Sequence, residues 1–519
     1  MDEPAMQTPP FSPEHVDQCL HFLESVVQNR RLLAALPPEK RQALLMAAGR
    51  VSRPERLEMI KLSKEYRRSM KKKLRKEDRV ARAQAGIRVA RQAPVFLPPE
   101  RSSAPPLEEE TRKLNHPRQC YVCKTRYDEL HGFYDSLCRA CGDLNYERRF
   151  QTADLTGQVA LITGARLKIG YQAALKLLQC GCEVIVTTRF PRDAAARFAR
   201  EPDFGTWGGK LHVYGLDLRH SPSVELFCSL IEQRFSRLDH LINNAAQTVR
   251  RPPGFYGHLM DLETRPFDSL PSDVQGLLQG HQDLRLKLSA HPASRAVLAS
   301  PGAGNWLEVL HDPGPGIGIR ESAALSQIPY HFDDLRADPQ LFPEGKLDAD
   351  LQQVDLRTRN TWRLKLGEVN TPEMLEVQLI NSVAPFILCG RLRDLMTRDF
   401  TGKKHVINVS AMEGKFNRHT KTDKHPHTNM AKAALNMLTL TSAPDLAEHG
   451  IYMNAVDTGW VTDEDPIHHM ESKQIEHDFH PPLDIVDGAA RVLDPIFALL
   501  YTGKPVWGKF LKDYVPTAW

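Results

Sequence analysis

Four cysteines fall in two pairs, Cys120-Tyr121-Val122-Cys123 and Cys138-Arg139-Ala140-Cys141, a C-x2-C-x14-C-x2-C pattern. Each pair can offer two thiolates from one tight turn, and together they complete the tetrahedral shell of a Zn²⁺ ion. Four protein ligands leave no open position for water, so the spacing points to a structural zinc centre rather than a catalytic one. A thiol redox pair is the other chemistry a CxxC allows, and it has no need of the second pair. His116 and His131 read as surface or packing groups beside it. The remaining five of the nine cysteines lie in apolar patterns, and nine in 519 residues are too sparse for a disulfide scaffold.

A second chemical stretch follows a short apolar strand, Val159-Ala160-Leu161-Ile162. It reads Thr163-Gly164-Ala165-Arg166-Leu167-Lys168-Ile169-Gly170 and opens an amphipathic helix through Leu178. Strand, glycine turn and helix is the order a pyrophosphate site needs, because the helix start presents unpaired N–H groups to phosphate. Gly164 permits the turn and Gly170 permits close packing of helix on sheet. A second strand, Glu183 to Thr187, ends at Thr188-Arg189, nineteen residues past Gly170. An acid there would bind a ribose hydroxyl, whereas an arginine suits a 2′-phosphate, so Arg189 favours NADP over NAD.

The stretches that follow come in a consistent order: Leu216-Asp217-Leu218, Leu241-Ile242-Asn243-Asn244-Ala245-Ala246, Asn381 in Leu379 to Phe386, Val406 to Ser410, and Val456-Asp457-Thr458-Gly459-Trp460-Val461-Thr462. With the glycine loop they resemble the short-chain dehydrogenase/reductase family over nearly everything from Leu155 to Trp519. The resemblance implies an α/β fold, a doubly wound parallel Rossmann sheet over 151–519. It implies a bound dinucleotide contacted by Thr163, Gly164, Arg166, Ile169, Gly170, Arg189, Asp217, Leu218, Asn243, Ala245, Lys432 and Thr462. Two departures stand out: Lys168 occupies the place of the family's middle glycine, and Thr458 replaces a proline. A further difference is an insertion from Val249 to about Gly367, expected as a lid, a substrate pocket or an assembly surface.

The proton-donor half departs more sharply. In the family a tyrosine four residues before a lysine protonates the carbonyl oxygen as hydride arrives, and a serine three residues before a glycine binds the same oxygen. Here Lys432 is present and Asn381 matches the supporting asparagine, but Thr428 stands four before Lys432. In Ser410-Ala411-Met412-Glu413-Gly414 the serine's place is taken by Ala411. A threonine hydroxyl is too weak an acid to replace a phenol, and losing a positioned general acid costs roughly 10²–10⁴ in rate. His427, in a segment that also carries His419 and His425, is the preferred substitute acid, since imidazole titrates near neutrality. Tyr330, from the insertion, is a second candidate, and a metal at His425 and His427 is the least favoured reading.

These elements must be held by a modular chain, since 519 residues exceed what one core organises. Residues 1–60 read as amphipathic helices: Ser12-Pro13 starts one, Pro38-Glu39 another ending at Gly49, and Ser52-Arg53-Pro54-Glu55 a third. Residues 61–92 form a basic helix; from Lys61 to Arg91 there are thirteen Lys/Arg against three acids, a local +10 in a chain whose total is +4. Such a helix is a solvated arm or a contact for nucleic acid or an acidic protein. A proline-rich linker (93–113) and the cysteine module (114–150) precede the Rossmann unit. Glycine- and proline-rich residues at 300–304 and 313–318 interrupt the insertion. No stretch approaches eighteen apolar residues and the start carries no secretory pattern, so a cytoplasmic protein without a membrane span is expected. The residues point to an NAD(P)-dependent oxidoreductase acting on a carbonyl or alcohol, with a homo-oligomer among the expected assemblies. The alternative is a catalytically impaired, dinucleotide-responsive scaffold whose zinc and basic modules bind a protein or nucleic acid.

Overall fold

The structure is a computed structural model describing residues 12–98, 112–290, 316–330, 334, 340–418 and 421–519. Pro99, Pro105 and Pro106 of the linker, residues 300–304 and 313–315 of the insertion, and His419 lie outside the described residues. Chain contacts divide the molecule between Glu77 and Asp78.

The first unit holds helices Pro13–Gln28 and Pro38–Ser52 and the beginning of Arg56–Ala83. Ser12 caps the first by accepting the His15 N–H. The second runs three residues past the expected stop at Gly49, and the third, expected to start from Ser52-Arg53-Pro54-Glu55, begins at Arg56 and continues through the basic stretch to Ala83. None of the described residues in this unit is buried, and Val16, Leu20 and Phe22 on the first helix stay exposed.

The second unit is built on an eight-stranded sheet. Its strands are β3 (Val159–Thr163), β4 (Glu183–Thr188), β5 (Leu211–Gly215), β6 (His240–Asn243), β7 (Lys404–Ser410), β8 (Ile451–Asp457), β9 (Phe510–Lys512) and β10 (Val515–Thr517), in spatial order β10-β9-β8-β7-β6-β3-β4-β5. All neighbours are parallel except β9 and β10. The central strands are buried along their whole length, which is why β3 reads Val-Ala-Leu-Ile-Thr without alternation. One face is covered by helices Lys168–Gln179 and Ile485–Thr502, the other by Ser221–Arg234, Ala384–Arg391 and Pro426–Glu448. The strand order reverses between β3 and β6, so a crevice opens at their carboxyl ends. This is a doubly wound Rossmann-type α/β fold.

The insertion after β6 has structural work of its own. Its helix Ser272–Ser289 lies along β5, the edge strand, where His281 Nδ1 accepts the Gly215 N–H at 3.3 Å. Covering this edge blocks pairing with another chain. Another of its helices, Pro253–Thr264, packs Phe255 and Tyr256 against Phe190, just after β4.

The cysteine segment is a small unit of β1 (Lys113–Gln119), β2 (Arg126–Glu129) and helix Arg139–Arg149, and it docks on the amino end of helix Ile485–Thr502. Tyr134 donates to Asp487 Oδ1 at 2.5 Å. Arg149 Nη1 lies 2.6 Å from Asp484 Oδ1 and 2.9 Å from Asp487 Oδ1, with all three side chains buried. The sequence treats this segment as a separate module, whereas its hydrophobic residues join Val461, Leu483 and Ile485 in one core. Removing one partner of a buried ion pair strands the others. Arg149→Ala is expected to lower stability by about 3–5 kcal/mol in urea unfolding; a loss under about 1 kcal/mol would show that the pair is not what fastens the module.

Candidate functional site

The crevice at the switch point is a cavity of about 450 Å³. Its floor is the turn after β3. Gly164 sits there at φ +69°, and a Cβ on it would come within 2.8 Å of the Ala245 backbone. Gly170 is equally confined, since a Cβ would meet the Gly164 carbonyl oxygen at 2.5 Å. Asn244 ties the two loops together by donating to the Thr163 and Gly164 carbonyls, each at 3.1 Å. Thr163 returns the favour through Oγ1, which accepts the N–H groups of Asn244 and Ala245. Lys168 stands at φ +54°, the left-handed conformation that a glycine adopts freely, and its ammonium lies 4.0 Å from Asp350 of the insertion. A lysine held there carries backbone strain of about 1–2 kcal/mol.

Of the residues singled out in the sequence, Gly164, Arg166, Ile169, Gly170, Arg189, Asp217, Leu218, Ala245, Lys432 and Thr462 line this cavity. Thr163 and Asn243 do not, and each braces the loops from behind: Asn243 donates to Asn408 Oδ1 at 2.8 Å. Arg166 turns from the cavity floor to Asp193, 2.7 Å away, on the helix after β4. Arg189 donates to the Tyr256 hydroxyl at 2.7 Å and lies over the Tyr256 ring at 4.6 Å. Asp217 is gripped by Arg219; burial pushes its carboxyl up, but Arg219 prevails and the net shift is downward.

Several lining groups carry no local sequence signal. Val249, Arg251, Phe255, Tyr256 and Gln352 come from the insertion, and Glu464 comes from the segment after β8. Glu464 accepts from Thr462 Oγ1 at 2.8 Å. Burial opposes its charge, yet Lys168 and the Thr462 hydroxyl draw its carboxyl below the usual range.

At the other end of the cavity, Lys432 Nζ donates to the Val409 carbonyl at 2.7 Å. Burial pushes its ammonium down to about 8, against the opposing pull of Glu413. Ser410 donates to Asn436 Oδ1 at 2.5 Å, and the neighbouring methyl of Ala411 lines the cavity without a hydroxyl. Asn381 lies in a single π turn, Leu379–Val383, and grips Gln247 through both its amide groups at 2.7 and 3.1 Å. It holds the loop after β6 and does not line the cavity.

The substitute acids are placed elsewhere. His427 is 2% exposed and outside the cavity lining, with Nε2 3.4 Å from Glu373 Oε1. Its position beside Thr428 on the helix carries it to the face turned to Glu373. Thr428 is itself buried with no hydrogen-bond partner for its hydroxyl among the described residues, and it does not line the cavity either. His425 stacks on Trp362 with ring centroids 3.9 Å apart, and the half-exposed Tyr330 lies by Arg219.

The four cysteine sulfurs all lie within 4.8 Å of one another, a donor set for one tetrahedral cation. His131 is not among them: its Nδ1 accepts the Phe133 and Tyr134 N–H groups, so it shapes the loop between the two pairs.

Residues 158–257 match the family model described as short chain dehydrogenase. The chain is 31% identical over 393 residues to "Uncharacterized protein R665" of Acanthamoeba polyphaga mimivirus, covering 73% of this chain and 71% of the viral one. It belongs to the short-chain dehydrogenase/reductase family. Human retinol dehydrogenase 14 is 40% identical over 101 residues, 17% of this chain and 30% of that enzyme. Drosophila melanogaster WW domain-containing oxidoreductase is 34% identical over 143 residues, 27% of this chain and 30% of the relative. The match thus spans less than a third of these two oxidoreductases. Among solved structures, a Pseudomonas aeruginosa RhlG/NADP active-site complex aligns with a TM-score of 0.39 and 15% identity, covering 69% of this chain and 95% of that one.

Lys432 yields a pH test. Its folded pKa lies below the ordinary 10.5, so the buried ammonium costs stability at neutral pH and that cost fades as pH rises from about 8 towards 10.5. Lys432→Met should therefore be more stable than the parent at pH 7, with the gain lost above pH 10.5. A stability difference independent of pH would contradict an ammonium held in the cavity against burial.

Proposed function

We propose that the chain is an NADP(H)-dependent oxidoreductase interconverting a carbonyl and an alcohol, with Lys432 as the proton donor in place of the family's tyrosine. The observation that carries the reading is the cavity in which the Gly164–Gly170 turn, Arg189 and Lys432 meet. Its length from Arg189 to Lys432 joins a cationic end to a proton-carrying end. The turn's N–H groups suit a pyrophosphate, and Arg189 with Tyr256 suits a 2′-phosphate stacked beside an adenine; NAD is the alternative cofactor. When bound, the nicotinamide supplies or accepts hydride. Lys432 delivers a proton to the carbonyl oxygen from its ammonium and recovers one from solvent, and its depressed pKa brings that exchange near neutral pH. Thr458 and Thr462 offer hydroxyls at the lip, and the insertion residues Arg251, Phe255 and Gln352 limit what enters.

The cysteine cluster is proposed to hold a structural Zn²⁺ through Cys120, Cys123, Cys138 and Cys141, stiffening the segment docked on helix Ile485–Thr502. A specific observation favours the second reading, a dinucleotide-responsive scaffold: neither Thr428 nor Ala411 presents a hydroxyl to the cavity. Turnover separates the two. Purified protein is expected to oxidise NADPH with a member of a carbonyl panel, and Lys432→Met should lower kcat by about 10²–10⁴. NADPH binding without turnover on any aldehyde or ketone would favour the scaffold, and full turnover by Lys432→Met would exclude Lys432 as the donor.

A further inference from the structure

The cysteine cluster and the cavity share a wall. Tyr121 lies between Cys120 and Cys123, and its hydroxyl accepts the Trp460 N–H at 2.9 Å. Trp460 belongs to the turn after β8, flanked by Gly459 at φ +77° and by Val461. The turn is closely packed, since a Cβ on Gly459 would come within 2.5 Å of Leu483 and 3.4 Å of the Tyr121 hydroxyl. On either side of it, Thr458 and Thr462 line the cavity.

The apolar contacts run the same way. Cys120, Tyr127, Phe133, Tyr134 and Leu137 form one core with Val461 and Leu483. Ile169 packs on that core and also lines the cavity from the helix that follows the glycine turn. The cysteine module therefore supports both the turn after β8 and the start of the phosphate-facing helix.

Without a cation, the two pairs are joined at their sulfurs by the weak Cys123 Sγ–Cys138 Sγ contact at 3.6 Å. The Cys120–Cys123 knuckle then rests on the Cys120 N–H to Thr125 carbonyl and Lys124 N–H to Cys120 carbonyl bonds, with the Tyr121 N–H donating to the Ser136 carbonyl, and the position of Tyr121 follows that short turn. A bound cation fixes the knuckle and, through it, the phenol that anchors the turn.

We propose that the cysteine metal centre and the dinucleotide cavity are linked sites, with Tyr121 positioning the Thr458–Thr462 turn for the dinucleotide. The inference rests on the zinc and dinucleotide readings given above. Linkage is reciprocal: whatever factor the metal adds to dinucleotide affinity, the dinucleotide adds to metal affinity.

The test uses the full chain. Tyr121→Phe keeps all four thiols and the aromatic ring but removes the acceptor for the Trp460 N–H. Calorimetry with NADPH and metal analysis are run on the parent and the variant, and zinc affinity of the parent is measured by competition with a chromophoric chelator, with and without saturating NADPH. The expected result is one zinc per chain in both proteins, NADPH affinity three- to tenfold weaker in Tyr121→Phe, and tighter zinc binding in the parent when NADPH is present. A zinc-loaded variant that binds NADPH like the parent, together with zinc affinity indifferent to NADPH, overturns the linkage. A parent that holds no zinc overturns it through the metal reading, and one that holds zinc but not NADPH overturns it through the dinucleotide reading.

Discussion

Two loops must approach until their backbones touch before this sheet can present a crevice deep enough for a phosphate chain. The turn after β3 meets the loop after β6 with no room for a side chain on Gly164 or Gly170, and Asn244 fastens them by donating to both Thr163 and Gly164 carbonyls. Everything else at the site is arranged around that contact. Asn381 grips Gln247 so that the loop cannot retreat, Asn243 ties β6 to β7, and Ile169 carries the position of the phosphate-facing helix into the core of the cysteine segment. The strain in the Lys168 backbone falls at the same place, and the dense packing around it is what such a conformation needs to persist.

Within that frame the two ends of the cavity differ in kind. At the Arg189 end, Arg189 is stacked on the Tyr256 ring, and the other cations are paired with acids, Arg166 with Asp193 on the next helix and Arg219 with Asp217 in the same loop. Charges held in this way are pre-organised and need little rearrangement to meet a phosphate. At the Lys432 end the lining includes Val409, Ser410 and Ala411, and the ammonium donates to a neutral carbonyl. With the phenol and serine missing, Lys432, made more acidic by burial, is the group to which we assign the proton. The family's lysine, ordinarily a supporting group beside a tyrosine, is left in this account to carry the proton itself.

The glycine turn, Arg189, the Asp217 stretch and the Asn243–Ala246 stretch were legible because each sits at the end of a strand, where strand, turn and helix follow one another within a few residues. The cysteine pairs were legible for the same reason. What escaped was whatever depends on chain reversals with no local pattern. Tyr256, Arg251 and Gln352 reach the cavity from the insertion, and Glu464 arrives from beyond β8. His427 illustrates the converse, because its neighbour relation to Thr428 along the helix does not place it in the cavity: its ring is turned to Glu373. The docking of the cysteine segment on helix Ile485–Thr502 pairs Arg149 with acids more than 330 residues away, a distance over which spacing carries no information.

The central claim is that the Gly164 turn and Arg189 form one site for a 2′-phosphorylated dinucleotide. Isothermal titration of the full chain with NADPH and NADH, alongside Gly164→Val and Arg189→Glu, tests it most directly. The expected result is micromolar or tighter NADPH binding, loss of binding in Gly164→Val with its circular dichroism unchanged, and a preference that swings to NADH in Arg189→Glu. Failure of the parent to bind either nucleotide, or equal binding by folded Gly164→Val, would contradict it.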